Sequence, residues 1–287
     1  MTSQLVQRQV TLSHGTTNYW ECGTGEPVIL LHGVGFWTGG DYWAQNMEAL
    51  GESYHVYAPD FVGWGTGDRL DVEYSFAYLV DFVREFQDTL GISSAHIIGH
   101  SMGGWVASLF GYESPNRVRT LTLVASGGMS TRTLSTMTTF EAPAYEDIMR
   151  HALATIEGAQ ESTVTDAVDR WYQRTKHPGA LDSYRKILSH MNNPVHRARY
   201  NLLRRLPQVK LRTLIVWGSE DNVNPLNMGE QMHELIDGSE FVVLPCGHYI
   251  PSEAPQAFNQ EVLHFLRKNS QNGDVIDDHR KQVNHSR

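Results

Sequence analysis

Short apolar runs alternate along most of this chain with longer stretches whose apolar residues recur every three or four positions. The runs are VILLHG (28–33), YHVYAPD (54–60), AHIIGH (95–100), VRTLTLVAS (118–126), LRTLIVWG (211–218) and EFVVLP (240–245). Each is short and bounded by turn residues, the pattern of a strand buried on both faces. Ahead of them LVQRQVTL alternates, SHGTT turns and NYWEC returns, which predicts a hairpin. Between the runs, residues 75–91 place Leu79, Phe82, Val83, Phe86 and Leu90 at helical spacing, with Asp81, Arg84 and Glu85 among them. Residues 102–113 and 253–267 also read as helices. Strand–helix alternation of this kind predicts an α/β domain with a mostly parallel, eight-stranded sheet and helices on both faces.

The alternation lapses from 128 to 206. That stretch is helical in pattern, rich in Met, Thr, Tyr, Arg and His, and lies between two strand–helix units. It reads as a helical cap inserted into a core made of residues 1–127 and 207–269. From 270 to 287 the chain turns polar, a composition that predicts no folded structure.

Composition narrows the class. The chain has 287 residues, 40% of them hydrophobic, enough for a sizeable core. A net charge of −9 removes the basic footprint that nucleic acid requires. Two cysteines, Cys22 and Cys246, are too few for a disulfide framework or a thiolate zinc site, and read as buried small hydrophobes. The N-terminus MTSQLVQRQV has no long apolar run and no stretch approaches a membrane span, so a cytoplasmic location is expected, without membrane partners.

The chemistry concentrates in IIGHSMGGW, residues 97–105. A strand ending at His100 and a helix starting at Met102 force a tight turn at Ser101. Gly99 and Gly103 remove side chains that would collide with the neighbouring backbone. The result is a nucleophile elbow that lifts the serine hydroxyl above the sheet. Such a serine needs a base, and the base an orienting carboxylate. IVWGSEDNVNP places Glu220 and Asp221 just past one late strand, and LPCGHYIPSEAP places His248 past the last. Both loops lie at carboxyl ends of parallel strands, where open α/β sheets build their sites. For a developing oxyanion, the N–H of Met102 opens a helix, and the glycines of HGVGF (32–36) let the N–H of Val34 approach.

LLHGVG, APDFVGWGTGD, GHSMGG, VWGSEDNVNP and CGHYIPSEAPQAFN occur in the order seen in the α/β-hydrolase family, and the chain resembles that family over about residues 16–268. The resemblance implies Ser101, Asp221 and His248 as catalytic triad, Asp221 because it falls three residues after Gly218. It implies Val34 and Met102 as the oxyanion donors. With serine rather than aspartate as nucleophile, dehalogenase and epoxide hydrolase activities are set aside. Within the family the chain is most similar to the meta-cleavage-product hydrolases, which cut a C–C bond in 2-hydroxy-6-oxo-dienoates from aromatic ring fission. There DRWYQRTKHPGAL (169–181) matches a helix whose arginine holds the substrate carboxylate, and Arg170 is the matching position. A guanidinium suits that work because its planar fork binds a carboxylate bidentately. Arg174, Arg185 and Arg197 are nearby alternatives. Phe36, Trp37, Trp105 and Tyr249 are candidates to line the pocket. The chain departs from the closer pattern in having VGFWTGG after HG, Thr66-Gly67-Asp68 in the following turn, and Tyr249 after the histidine.

The expectation is therefore a hydrolase acting on a small-molecule substrate, without metal or cofactor; His151, His177, His190 and His196 fit no ligand motif. A carboxylesterase or lactonase with the same triad is the alternative activity, and a non-catalytic ligand-binding member of the fold the alternative class. The oligomeric state stays open, a homo-oligomer included.

Overall fold

The computed structural model describes residues 4–132 and 140–270. Eight strands form one sheet: β1 (Val6–Leu12), β2 (Gly15–Cys22), β3 (Pro27–Leu31), β4 (His55–Pro59), β5 (Ala95–His100), β6 (Val118–Val124), β7 (Thr213–Gly218) and β8 (Glu240–Leu244). Their order is β1-β2-β4-β3-β5-β6-β7-β8. The β1–β2 and β2–β4 pairs are antiparallel, and every pair from β4 to β8 is parallel. The mostly parallel sheet expected from the pattern is the one observed. Two details differ. The hairpin turn is only Ser13–His14, because Leu12 already pairs with Gly15. The last run is not buried on both faces, because β8 is an edge strand and Val243 is 42% exposed.

The helices are α1 (Ala44–Gly51), α2 (Phe76–Thr89), α3 (Met102–Glu113), α4 (Tyr145–Thr155), α5 (Glu161–Thr175), α6 (Ala180–Asn192), α7 (Pro194–Tyr200), α8 (Leu226–Leu235), α9 (Ile250–Glu253) and α10 (Pro255–Ser270). Strand residues alternate between two cores. Ile29, Leu31, Ile97, Leu123 and Ile215 join Val83 and Phe86 of α2 and Val106 and Phe110 of α3. Val28, Leu30, Ile98, Val124 and Val216 join Met47 and Leu50 of α1 and Phe258 and Phe265 of α10. The period-2 alternation thus buries both faces of the sheet, each fully covered side chain contributing about 1.5–3 kcal/mol. The helix predicted over 253–267 starts at Pro255, whose missing N–H costs nothing at a first turn.

Helices α4 to α7 lie between β6 and β7. Helices α4 and α5 close on each other through Ile148, Ala152, Val164 and Val168, a small core separate from the other two. Cys22 and Cys246 are both buried. The tail expected from 270 onward lies, apart from Ser270, outside the described residues. Among the described residues no helix is long and apolar enough to cross a membrane.

Candidate active site

Ser101 sits between β5 and α3 at φ 54° and ψ −114°, a conformation that L-residues rarely adopt. The surroundings hold it there. Its N–H donates to the Val124 carbonyl at 2.9 Å, and its carbonyl accepts from Gly127 N–H at 2.9 Å. The glycines are obligatory: a Cβ on Gly99 would stand 2.3 Å from the Gly103 carbonyl oxygen, and one on Gly103 would stand 2.2 Å from that of Leu31. Backbone passes too close on both sides of the serine for any side chain.

Three loops at the carboxyl ends of strands converge on this turn. His248 follows β8, and its Nε2 lies 3.0 Å from Ser101 Oγ. Asp221 follows β7, and its Oδ2 lies 2.8 Å from His248 Nδ1. The carboxylate is itself fixed, because Oδ1 accepts from the N–H groups of Val223 and Asn224, both at 2.8 Å. A carboxylate only accepts, so the contact puts the histidine proton on Nδ1 and leaves the Nε2 lone pair for the serine hydroxyl. Asp221 and His248 are buried, whereas Glu220 is exposed.

The loop after β3 forms another wall. His32 orients it: Nδ1–H donates to the Gly33 carbonyl at 2.7 Å, and Nε2 accepts from Phe61 N–H at 3.0 Å. Burial pushes the His32 pKa down to about 4, so the ring stays neutral and keeps one donor and one acceptor. A cavity of about 280 Å³ opens over Ser101. Its lining includes Val34, Phe36, Met102, Trp105 and Tyr249 from the core, and His151, Tyr184 and Arg197 from the helical insertion. The N–H groups of Val34 and Met102 donate to no acceptor among the described residues.

A family model described as the alpha/beta hydrolase fold matches residues 26–255. The chain belongs to the alpha/beta hydrolase family. It is 32% identical over 269 residues to the 2-hydroxy-6-oxononadienedioate/2-hydroxy-6-oxononatrienedioate hydrolase of Escherichia coli (strain K12 / DH10B), with 86% of this chain and 90% of that one covered. It is 29% identical over 261 residues to the 2-hydroxy-6-oxo-6-phenylhexa-2,4-dienoate hydrolase of Burkholderia cepacia, covering 86% of this chain and 89% of that one. Among solved structures, the meta-cleavage product hydrolase CumD of Pseudomonas fluorescens IP01 superposes with a TM-score of 0.78 at 28% identity, over 91% of this chain and 97% of that one. This chain is a hydrolase of that fold, and its relatives carry the names of dienoate hydrolases.

The four arginines that the sequence offered as carboxylate binders lie in different surroundings. Arg170 does not line the cavity over Ser101. Its side chain is 54% exposed, its Nε lies 4.0 Å from Asp41 Oδ2, and it borders a neighbouring pocket behind Trp37, His151 and Tyr249. The reason is geometric, because α5 turns Arg174 inward instead. Arg174 is buried and donates to Asp41 Oδ1 at 2.6 Å and to the Trp37 carbonyl at 3.2 Å. Arg185 donates to the Phe140 carbonyl at 3.3 Å. Arg197 is the one of the four arginines that borders the cavity. Asp41 and Arg174 stand 133 positions apart, so no local signal joins them.

Outside the cavity, Glu73, His190 and His196 bring ligand-type atoms within 4.8 Å of one another. His190 has both ring nitrogens engaged, however. Nε2 accepts from Phe76 N–H at 3.2 Å, which leaves the proton on Nδ1 for Glu73 Oε1 at 2.8 Å. No lone pair of that ring remains for a metal ion.

Proposed function

We propose that Ser101 is the nucleophile of this hydrolase, His248 its base and Asp221 the carboxylate that orients the base. The observation that carries the reading is the unbroken hydrogen-bond chain from Asp221 through His248 to Ser101 Oγ on the floor of the cavity. His248 Nε2 takes the serine or water proton, and Asp221 stabilises the imidazolium that results. The N–H groups of Val34 and Met102 receive the developing oxyanion.

The substrate class follows from the relatives and from the cavity. A 2-hydroxy-6-oxo-dienoate carries a carboxylate at one end and an apolar or ω-carboxyl group at the other. Arg197 supplies a cation at the wall. It is buried and gives its amino groups to the carbonyls of Met191 at 3.1 Å and Ser130 at 3.0 Å. No carboxylate pairs with it among the described residues, and a buried charge of this kind favours an anion arriving from outside. Phe36, Trp105 and Tyr249 flank the remainder of the substrate. Ketonisation of the dienol then supplies the electron sink for cleavage of the C–C bond, and the helical insertion acts as the cap over the cavity.

The test follows the yellow absorbance of a 2-hydroxy-6-oxo-6-phenyl-dienoate. Rapid bleaching by the wild type is expected, with Ser101→Ala lowering kcat by about 10⁴-fold or more. Hydrolysis of p-nitrophenyl esters without any bleaching reassigns the activity to an esterase with the same triad. A Ser101→Ala variant of undiminished rate removes the nucleophile assignment.

A further inference from the structure

His100 ends β5 beside Ser101, yet the reaction as described gives it no part. Its ring is 2% exposed and borders the cavity. Nε2 lies 2.9 Å from the carbonyl oxygen of His248. A carbonyl only accepts, so this contact fixes the His100 proton on Nε2. Nδ1 is then a bare lone pair, enclosed and without a partner among the described residues. Gly33 packs against it: a Cβ at that position would stand 3.1 Å from Nδ1. The ring is stacked on Tyr42, with centroids 5.0 Å apart at 21°, and the His248 ring is 4.9 Å away. Burial holds the His100 pKa well below the usual histidine range. The ring is therefore a neutral donor of fixed tautomer.

We propose that His100 is a positioning residue that holds the backbone of His248 and thereby the distance from His248 Nε2 to Ser101 Oγ. The inference rests on the reading of these two residues as base and nucleophile. The loop carrying His248 is tied on either side of it, where Glu253 accepts from Gly247 N–H at 2.5 Å and from Tyr249 N–H at 3.2 Å. His100 ties His248 itself. Because His100 is bonded directly to Ser101 in sequence, one side chain links the backbone of the nucleophile to the backbone of the base. A shift of about 1 Å between such groups can cost about 10²-fold in rate.

Two variants separate the donor from the ring. His100→Phe keeps an aromatic stack on Tyr42 and loses the hydrogen bond; His100→Gln keeps an amide donor. The expected result is a kcat about 10- to 100-fold lower for His100→Phe at a KM within about threefold of wild type, with His100→Gln recovering most of the loss. An unchanged kcat in His100→Phe, a loss confined to KM, or a Gln variant no better than Phe overturns the proposal. Should the Phe variant fail to fold, ring nitrogen spectra of the wild type decide. A neutral, Nε2-protonated His100 at neutral pH is expected from its burial and its bond to the His248 carbonyl, and an Nδ1-protonated or charged ring overturns it. The spectra do not depend on turnover. Failure of the hydrolase reading, seen as an undiminished Ser101→Ala, therefore stays distinct from failure of the His100 role.

Discussion

Two arginines of the helical insertion are equally buried, at 6% exposure each, and are partnered in opposite ways. Arg174 meets carboxylates. Burial alone would lower its pKa, but Asp41 and Asp60 raise it above the ordinary value, Asp41 by charge and hydrogen bond together. Its bonds run to Asp41 and to the Trp37 carbonyl, so it fastens α5 to the loop that follows β3. Arg197 meets carbonyls and the face of Trp105, and among the described residues its enclosed Nε has no partner and no acid offsets the burial that lowers its pKa. A buried cation that already has its anion holds a structure together, whereas one without an anion is poised to receive one. Exposure and charge are the same in the two cases, and under the proposed function the difference in partners separates structural work from ligand work.

The comparison breaks most readily at Asp41. Asp41→Ala takes from the buried Arg174 its hydrogen-bonded anion and leaves only the nearby charge of Asp60, and the expected loss is about 3 kcal/mol of unfolding free energy in a urea titration. Replacing Asp41 and Arg174 together by apolar residues should restore much of that loss. Next comes Arg197→Met. Its kcat/KM for a carboxylated dienoate should fall by about 10²-fold, while that for p-nitrophenyl acetate stays within about threefold. An Arg197→Met that destabilises the protein as much as Asp41→Ala, and lowers both activities equally, would place the two arginines in one class.

The elbow was readable because its constraints are local: Gly99, Ser101 and Gly103 fall within five positions, and the close backbone passages they relieve lie in β5, α3 and the adjacent end of β3. Asp221 and His248 were readable because each directly follows an apolar run that becomes a strand. Where Arg170 would point was not readable, for the opposite reason. Arg170 and Arg174 are one turn apart on α5, so helical periodicity presents both on a similar face. What selects Arg174 for the interior is Asp41, far away in sequence. His100 was likewise hidden, since its partner is a backbone carbonyl 148 positions on. The short helices α1 and α8 carry little pattern of their own, and burial of Met47, Leu50 and Met232 against the sheet holds them.

Bases that can shed their charge extend the comparison to milder effects. His151, between Trp37 and Tyr249, and His32 both have their pKa pushed down to about 4 by burial. The unfolded chain, with ordinary histidine values near 6.5, takes up these protons first. The stability they permit is present above about pH 6.5 and is lost as pH falls toward about 4, each ring contributing up to about 1.4 kcal/mol per pH unit. His151→Phe should flatten the acid limb of a stability-against-pH curve by one ring's share. An unaltered limb would mean that His151 is already solvated in the folded cavity.

Arg170→Ala sharpens the comparison by its smallness. Its guanidinium is more than half exposed, and its contact with Asp41 is long and shared with Arg174, which holds that carboxylate at 2.6 Å. Exposed pairs of this kind are worth about 0–1 kcal/mol, so unfolding free energy should change by less than about 1 kcal/mol. Asp41 keeps its closer partner in the variant, which removes the main route to a larger effect. Catalysis of the dienoate should stay within about threefold of wild type, because Arg170 borders a pocket behind the Trp37 and His151 wall rather than the one over Ser101. A tenfold or greater loss confined to carboxylated substrates would return the anion to Arg170 and shift the substrate's charged end through that wall into the neighbouring pocket. Arg197 would then be structural as Arg174 is, held by its two carbonyls.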